Sequence, residues 1–75
     1  MNAKRRKRLK EVHEHLSVAA DTLDEIVNEE QDCLENTPEN LQESDEYADR
    51  ENLVDDMFDI LDDIRSSVDR ITEML

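Results

Sequence analysis

The chain has 75 residues, 22 of them acidic and nine basic, for a formal net charge of −13, and it contains no glycine and no tryptophan. That length holds one small domain without room for a deep pocket, and the lack of glycine removes the φ > 0 turns that cradle phosphates in Rossmann and Walker-type sites. No stretch approaches the roughly 20 apolar residues of a membrane span, the basic start is not followed by a signal peptide's apolar run, and a single cysteine forms no internal disulfide, so a cytoplasmic protein without a membrane partner is expected.

Lys4, Arg5, Arg6, Lys7, Arg8 and Lys10 open the chain with six positive charges and no acid. The remaining 65 residues carry all 22 acids against three bases, Arg50, Arg65 and Arg70, a balance of −19. Such a body repels nucleic acid and attracts basic protein surfaces. The basic run has no interleaved aromatics. In a hairpin it falls beside Asp69, Glu73 and the terminal carboxylate, so neutralisation of the body or a dimer contact is expected ahead of direct nucleic-acid binding.

Apolar residues at Leu9, Val12, Leu16, Ala19, Leu23, Ile26 and Cys33 alternate in steps of three and four, as heptad positions a and d do, with Glu30 intruding at one a position. Ala20, Val27 and Leu34 lie one residue beyond d and widen the stripe, which predicts a first helix over about residues 3–35. Cys33, at a d position, is expected to be a buried small hydrophobe. His13 and His15 point roughly 200° apart on a helix, cannot share a metal, and are expected to be solvated.

Asn36, Thr37 and Pro38 stop this helix, because proline disfavours helical geometry in the residue before it. Thr37 with Pro38 reads as an N-cap and first-turn pair for a short helical turn to Gln42, within a bend over residues 36–44. Ser44 is the expected N-cap of a second helix over about residues 45–75, with Asp45 and Glu46 at the positive end of its dipole. Its a and d positions are Val54, Met57, Leu61, Ile64, Val68, Ile71 and Leu75, widened by Leu53, Phe58, Ile60 and Met74. Carried backwards, the register puts Tyr47 at a and Arg50 at d.

The pattern predicts an all-α antiparallel two-helix hairpin with a short helical turn at its bend. Bending near residue 40 pairs positions whose numbers sum to about 80, which sets Val27 against Val54, Leu16 against Ile64, Val12 against Val68 and Leu9 against Ile71. Glu30 then faces Arg50, so the two charged intruders form a register-setting salt bridge. Leu34, Pro38, Leu41 and Tyr47 close the hairpin, with Leu41 plugging the end of the core. Two helices of some 30 residues cannot cover stripes this wide alone, and a homodimer forming a four-helix bundle is expected.

Around the bend, Glu29-Glu30-Gln31 followed by Asn36-Thr37-Pro38-Glu39-Asn40-Leu41-Gln42 and Ser44 resembles small acidic proteins from phages, prophages and conjugative elements of Gram-positive bacteria. There too a basic N-terminus opens a helix and a second acidic helix follows the bend. The resemblance implies a helical hairpin of mobile-element origin in a bacterial host cell, and it carries over no catalytic residue.

The outer face of the second helix carries Asp55, Asp56, Asp59, Asp62, Asp63, Asp69 and Glu73, one carboxylate per roughly 4 Å, close to the phosphate spacing of a DNA strand. The function expected is a non-enzymatic interaction module without cofactor or metal, acting as an acidic DNA mimic that inhibits a host DNA-binding or defence protein. The alternative is a structural or scaffold dimer that binds through its apolar stripe or its bend. A distant alternative is a magnesium-dependent all-α nucleotide pyrophosphohydrolase using Glu29-x-x-Asp32 and Glu46-x-x-Asp49, whose carboxylates suit that metal.

Overall fold

Asn2 begins the first helix by accepting the Arg5 amide on its side-chain oxygen at 2.8 Å, satisfying one of the amide groups that a helix start leaves without an internal partner. From there a computed structural model, covering residues 1–75, runs as α1 (Ala3–Glu35), a 3-10 turn (Glu39–Leu41) and α2 (Asp45–Met74). The two helices fold back antiparallel into a hairpin with extents of 60 × 14 × 14 Å.

The bend is tied by polar side chains. Thr37 does not cap the 3-10 turn as its place before proline suggests. Its hydroxyl instead donates back to the Cys33 carbonyl at 3.0 Å, satisfying an acceptor in the last turn of α1, and Pro38 stands at the 3-10 N-cap without a side-chain cap. Gln42 reaches across the turn and donates to the Thr37 carbonyl at 2.9 Å. Ser44 caps α2 as expected, its hydroxyl accepting the Tyr47 amide at 3.1 Å while donating to the Leu41 carbonyl at 2.8 Å. Leu41 does not plug the core: it is 50% exposed.

Only Ala20, Val27, Leu34, Val54 and Leu61 are fully buried. Val27, Leu34 and Val54 form the tightest cluster, with Leu23, Tyr47 and Met57 packed against it, so the core is densest on the bend side of the hairpin. In α2 the seam follows the predicted register, with Tyr47, Arg50, Val54, Met57, Leu61, Ile64, Val68 and Ile71 all buried or half-buried. Leu75 is the exception. It lies past the last helical residue and is 40% exposed.

In α1 the seam is rotated from the predicted one. Leu9, Leu16, Leu23 and Glu30 remain on it, but their heptad partners are His13, Ala20, Val27 and Leu34 rather than Val12, Ala19, Ile26 and Cys33, all four of which are exposed. The first series therefore takes d and the second a. Cys33 is accordingly an exposed thiol, and Val12 is 47% exposed rather than buried in the seam. The reason lies in the bend: once Leu34 inserts beside Tyr47 and Val54, the 100° step between neighbouring helical residues carries Cys33 and Ile26 out of the seam.

Candidate functional site

Three kinds of surface surround this seam. Along one flank, heptad position e of each helix is polar or cross-linked, apart from Phe58. Arg65 on α2 donates to Asp24 on α1 at 3.0 Å and lies 3.6 Å from Asp21. Further along, His13 and Thr72 meet at 2.7 Å. The Thr72 hydroxyl also lies 3.1 Å from the Val68 carbonyl, and which group donates in the His13 contact depends on the imidazole tautomer. His13 is thus half-buried at an a position rather than solvated, and no three histidine, cysteine or acidic side chains converge as metal ligands anywhere in the chain.

Neither cross-link was visible as a motif, because Arg65 and Asp24, or His13 and Thr72, acquire meaning only after α1 is rotated into its seam. With that register in place, Asp24 and Arg65 both occupy position e and share a flank. Glu30 and Arg50 lie opposite each other at d, with 3.9 Å between Glu30 Oε2 and Arg50 Nη2 and both side chains about 40% exposed. This is a loose, wetted contact, so it contributes little beyond register.

The second surface is the outer face of α2. Asp55, Asp62 and Asp69 occupy heptad position b, Asp56 and Asp63 position c, and Asp59 and Glu73 position f, the three positions opposite the seam. All seven are exposed, and none takes part in an ion pair, since the only acids paired with a base are Asp21, Asp24 and Glu30. Over the 18 steps from Asp55 to Glu73, at 1.5 Å each, the row spans about 27 Å. Arg70 is the one base set within it. Glu29, Asp32, Glu46 and Asp49, the residues of the magnesium alternative, are likewise exposed.

The third surface is the other flank, where position g is apolar on α1 from Val12 onward and on α2 from Leu53 onward apart from Ser67. Val12, Ala19, Ile26 and Cys33 line it on α1, and Leu53, Ile60 and Met74 on α2. At the free end of the hairpin, Val12 and Leu9 of this flank lie beside Arg5 and Arg8 on α1. None of the six basic residues from Lys4 to Lys10 pairs with an acid of α2, so the expected neutralisation by direct contact within the hairpin is absent.

No family model, curated protein or solved structure matches the chain. No helix is long and apolar enough to cross a membrane.

Proposed function

We propose that this chain is a non-enzymatic protein-interaction module whose acidic α2 face engages a basic, DNA-binding surface of a partner protein. The observation that carries the reading is the row of seven exposed, unpaired carboxylates set on a rigid helix. A surface of that charge attracts clefts shaped for phosphate and repels nucleic acid itself. A host nuclease, regulator or defence enzyme is the partner class this chemistry fits, in keeping with a mobile-element origin in the cytoplasm of a bacterial cell. The test is capture of DNA-binding proteins from a bacterial lysate at low salt, with duplex DNA as competitor. Capture that DNA displaces supports mimicry; capture that ignores DNA and salt overturns it.

A second reading has its own observation. The apolar g flank suits a structural or scaffold role in which two hairpins pack into a four-helix bundle. The two readings are compatible, because the acidic face and the apolar flank occupy different sides of α2.

A further inference from the structure

Over residues 9–34 and 47–75, burial falls around each helix, from a, through half-buried d, to exposed g, while the residues at all three positions stay mostly apolar, His13, Glu30, Arg50 and Ser67 being the polar exceptions. The seam therefore covers one edge of the apolar arc and leaves the rest open, on the same side of both helices. The surface area agrees. A compact monomer of 8.8 kDa exposes about 4,800 Å² by the usual scaling of surface with mass. This chain exposes 5953 Å², an excess of roughly 1,200 Å². One long side of a 60 × 14 Å body is about 840 Å², close to the share each partner contributes to a stable interface.

The charges indicate what covers that side. The free end, residues 3–11 and 69–75, holds seven bases against three acids, whereas the bend end, residues 29–51, holds ten acids against one base. In α1 these charges also oppose the helix dipole, with no acid in the first turn and no base in the last. A body with a positive and a negative end, and an apolar side between them, is complementary to a reversed copy of itself. A parallel arrangement would set basic end on basic end and acidic bend on acidic bend.

We propose that the d–g flank is the interface with a second copy of this chain, packed with the bends at opposite ends, so that each basic N-terminal turn lies against the other copy's acidic bend. This deepens the bundle reading above by naming its face and its polarity. A two-fold axis across the middle of the face passes near Ala19, the midpoint of α1, and Ile60, the midpoint of α2. It stacks α1 on α1, with Ala19 against Ala19 and Val12 against Ile26. The small side chain of Ala19 lets the two helices approach closely there.

This geometry is tested by disulfide mapping of the full chain. With bends at opposite ends, the Cys33 thiols of the two copies are about 40 Å apart at 1.5 Å per residue, beyond any disulfide. Ala19→Cys in a Cys33→Ser background should oxidise to a covalent dimer, at least roughly fivefold faster than the unsubstituted chain. Ala19 is exposed in the hairpin, so cysteine there leaves the seam intact. Val12→Cys combined with Ile26→Cys in the same background gives a second check on the same register. Sedimentation of the unsubstituted chain should show twice 8.8 kDa at micromolar concentration. A single 8.8 kDa species, or a dimer that cross-links through Cys33 and not through Ala19→Cys or the paired variant, overturns the proposal. Charge reversal on the outer face of α2 should leave the cross-link unchanged, which separates this interface from the partner-binding reading.

Discussion

At the bend, the relative weights of Leu41 and Gln42 are inverted from what their chemistry suggests. Leucine is the apolar residue, yet its half-exposed position gives it little area to lose, and Leu41→Ala should change stability by no more than about 0.5 kcal/mol. Gln42 holds the Thr37 carbonyl at 2.9 Å and so fixes the turn, and Gln42→Ala should cost about 0.5–1 kcal/mol. Urea titration of both variants decides the order; a larger loss for Leu41→Ala would mean that Leu41 packs into the core in solution. The charged cross-links can be ranked in the same way. Arg65 touches two carboxylates, the nearer at 3.0 Å, whereas Arg50 stands 3.9 Å from one. A double-mutant cycle on Asp24 and Arg65 should give about 0.5 kcal/mol, exceed that for Glu30 and Arg50, and shrink with added salt, since all four side chains are partly exposed.

At the scale of the helices, the seam of α2 was legible as far as Ile71 and that of α1 only in part, for a physical reason. In α2 the series from Val54 through Leu61 and Val68 is apolar without interruption, whereas the neighbouring series of Leu53, Ile60 and Met74 is broken by Ser67. In α1 two adjacent series run side by side, Val12-Ala19-Ile26-Cys33 and His13-Ala20-Val27-Leu34, and the histidine alone makes the latter less apolar than its rival. A helix half-covered by its neighbour has an apolar arc wider than its seam, so periodicity alone locates the arc and not its buried edge. The pairing of Val27 with Val54 already favoured the histidine-led series, while the polar cap at Thr37 and the Arg65 clamp had no sequence signature of their own. The rotation has a measurable consequence. Val27 is fully buried, and Val27→Ala should cost about 2 kcal/mol whatever the protein concentration. Ile26 is 44% exposed in the hairpin, so Ile26→Ala should be almost neutral in dilute solution. Thermal melts over a range of concentrations separate the two: equal losses at every concentration would return Ile26 to the intramolecular seam. Capping is the other element-scale contribution, and Ser44→Ala should cost about 1 kcal/mol by leaving the Tyr47 amide without its acceptor.

At the scale of the whole molecule, two distinct surfaces lie on two sides of one helix. The seam and its g flank use the apolar arc of α2, and the b, c and f positions carry the unpaired acids, so charge can be removed from the outer face without touching packing. Asp59→Lys, Asp62→Lys and Asp63→Lys together shift the net charge from −13 to about −7 and place three bases at the centre of the row. Helicity should be unchanged, since lysine is at least as good a helix former as aspartate and all three sites are exposed. Self-repulsion within the acidic body should fall, which raises the melting temperature slightly at low salt. Binding to a basic partner surface should respond in the opposite sense. Attraction built on several charges weakens steeply with ionic strength, so the unsubstituted chain should lose roughly tenfold or more in affinity between about 50 and 200 mM salt. The triple variant should bind at least roughly tenfold more weakly at the lower salt and show a flatter salt dependence. Affinity measured at the two salt concentrations, with circular dichroism as the folding control, decides the matter. A variant that keeps its helicity, its partner and its salt slope would remove the acidic face from the interaction and leave the apolar flank as the working surface.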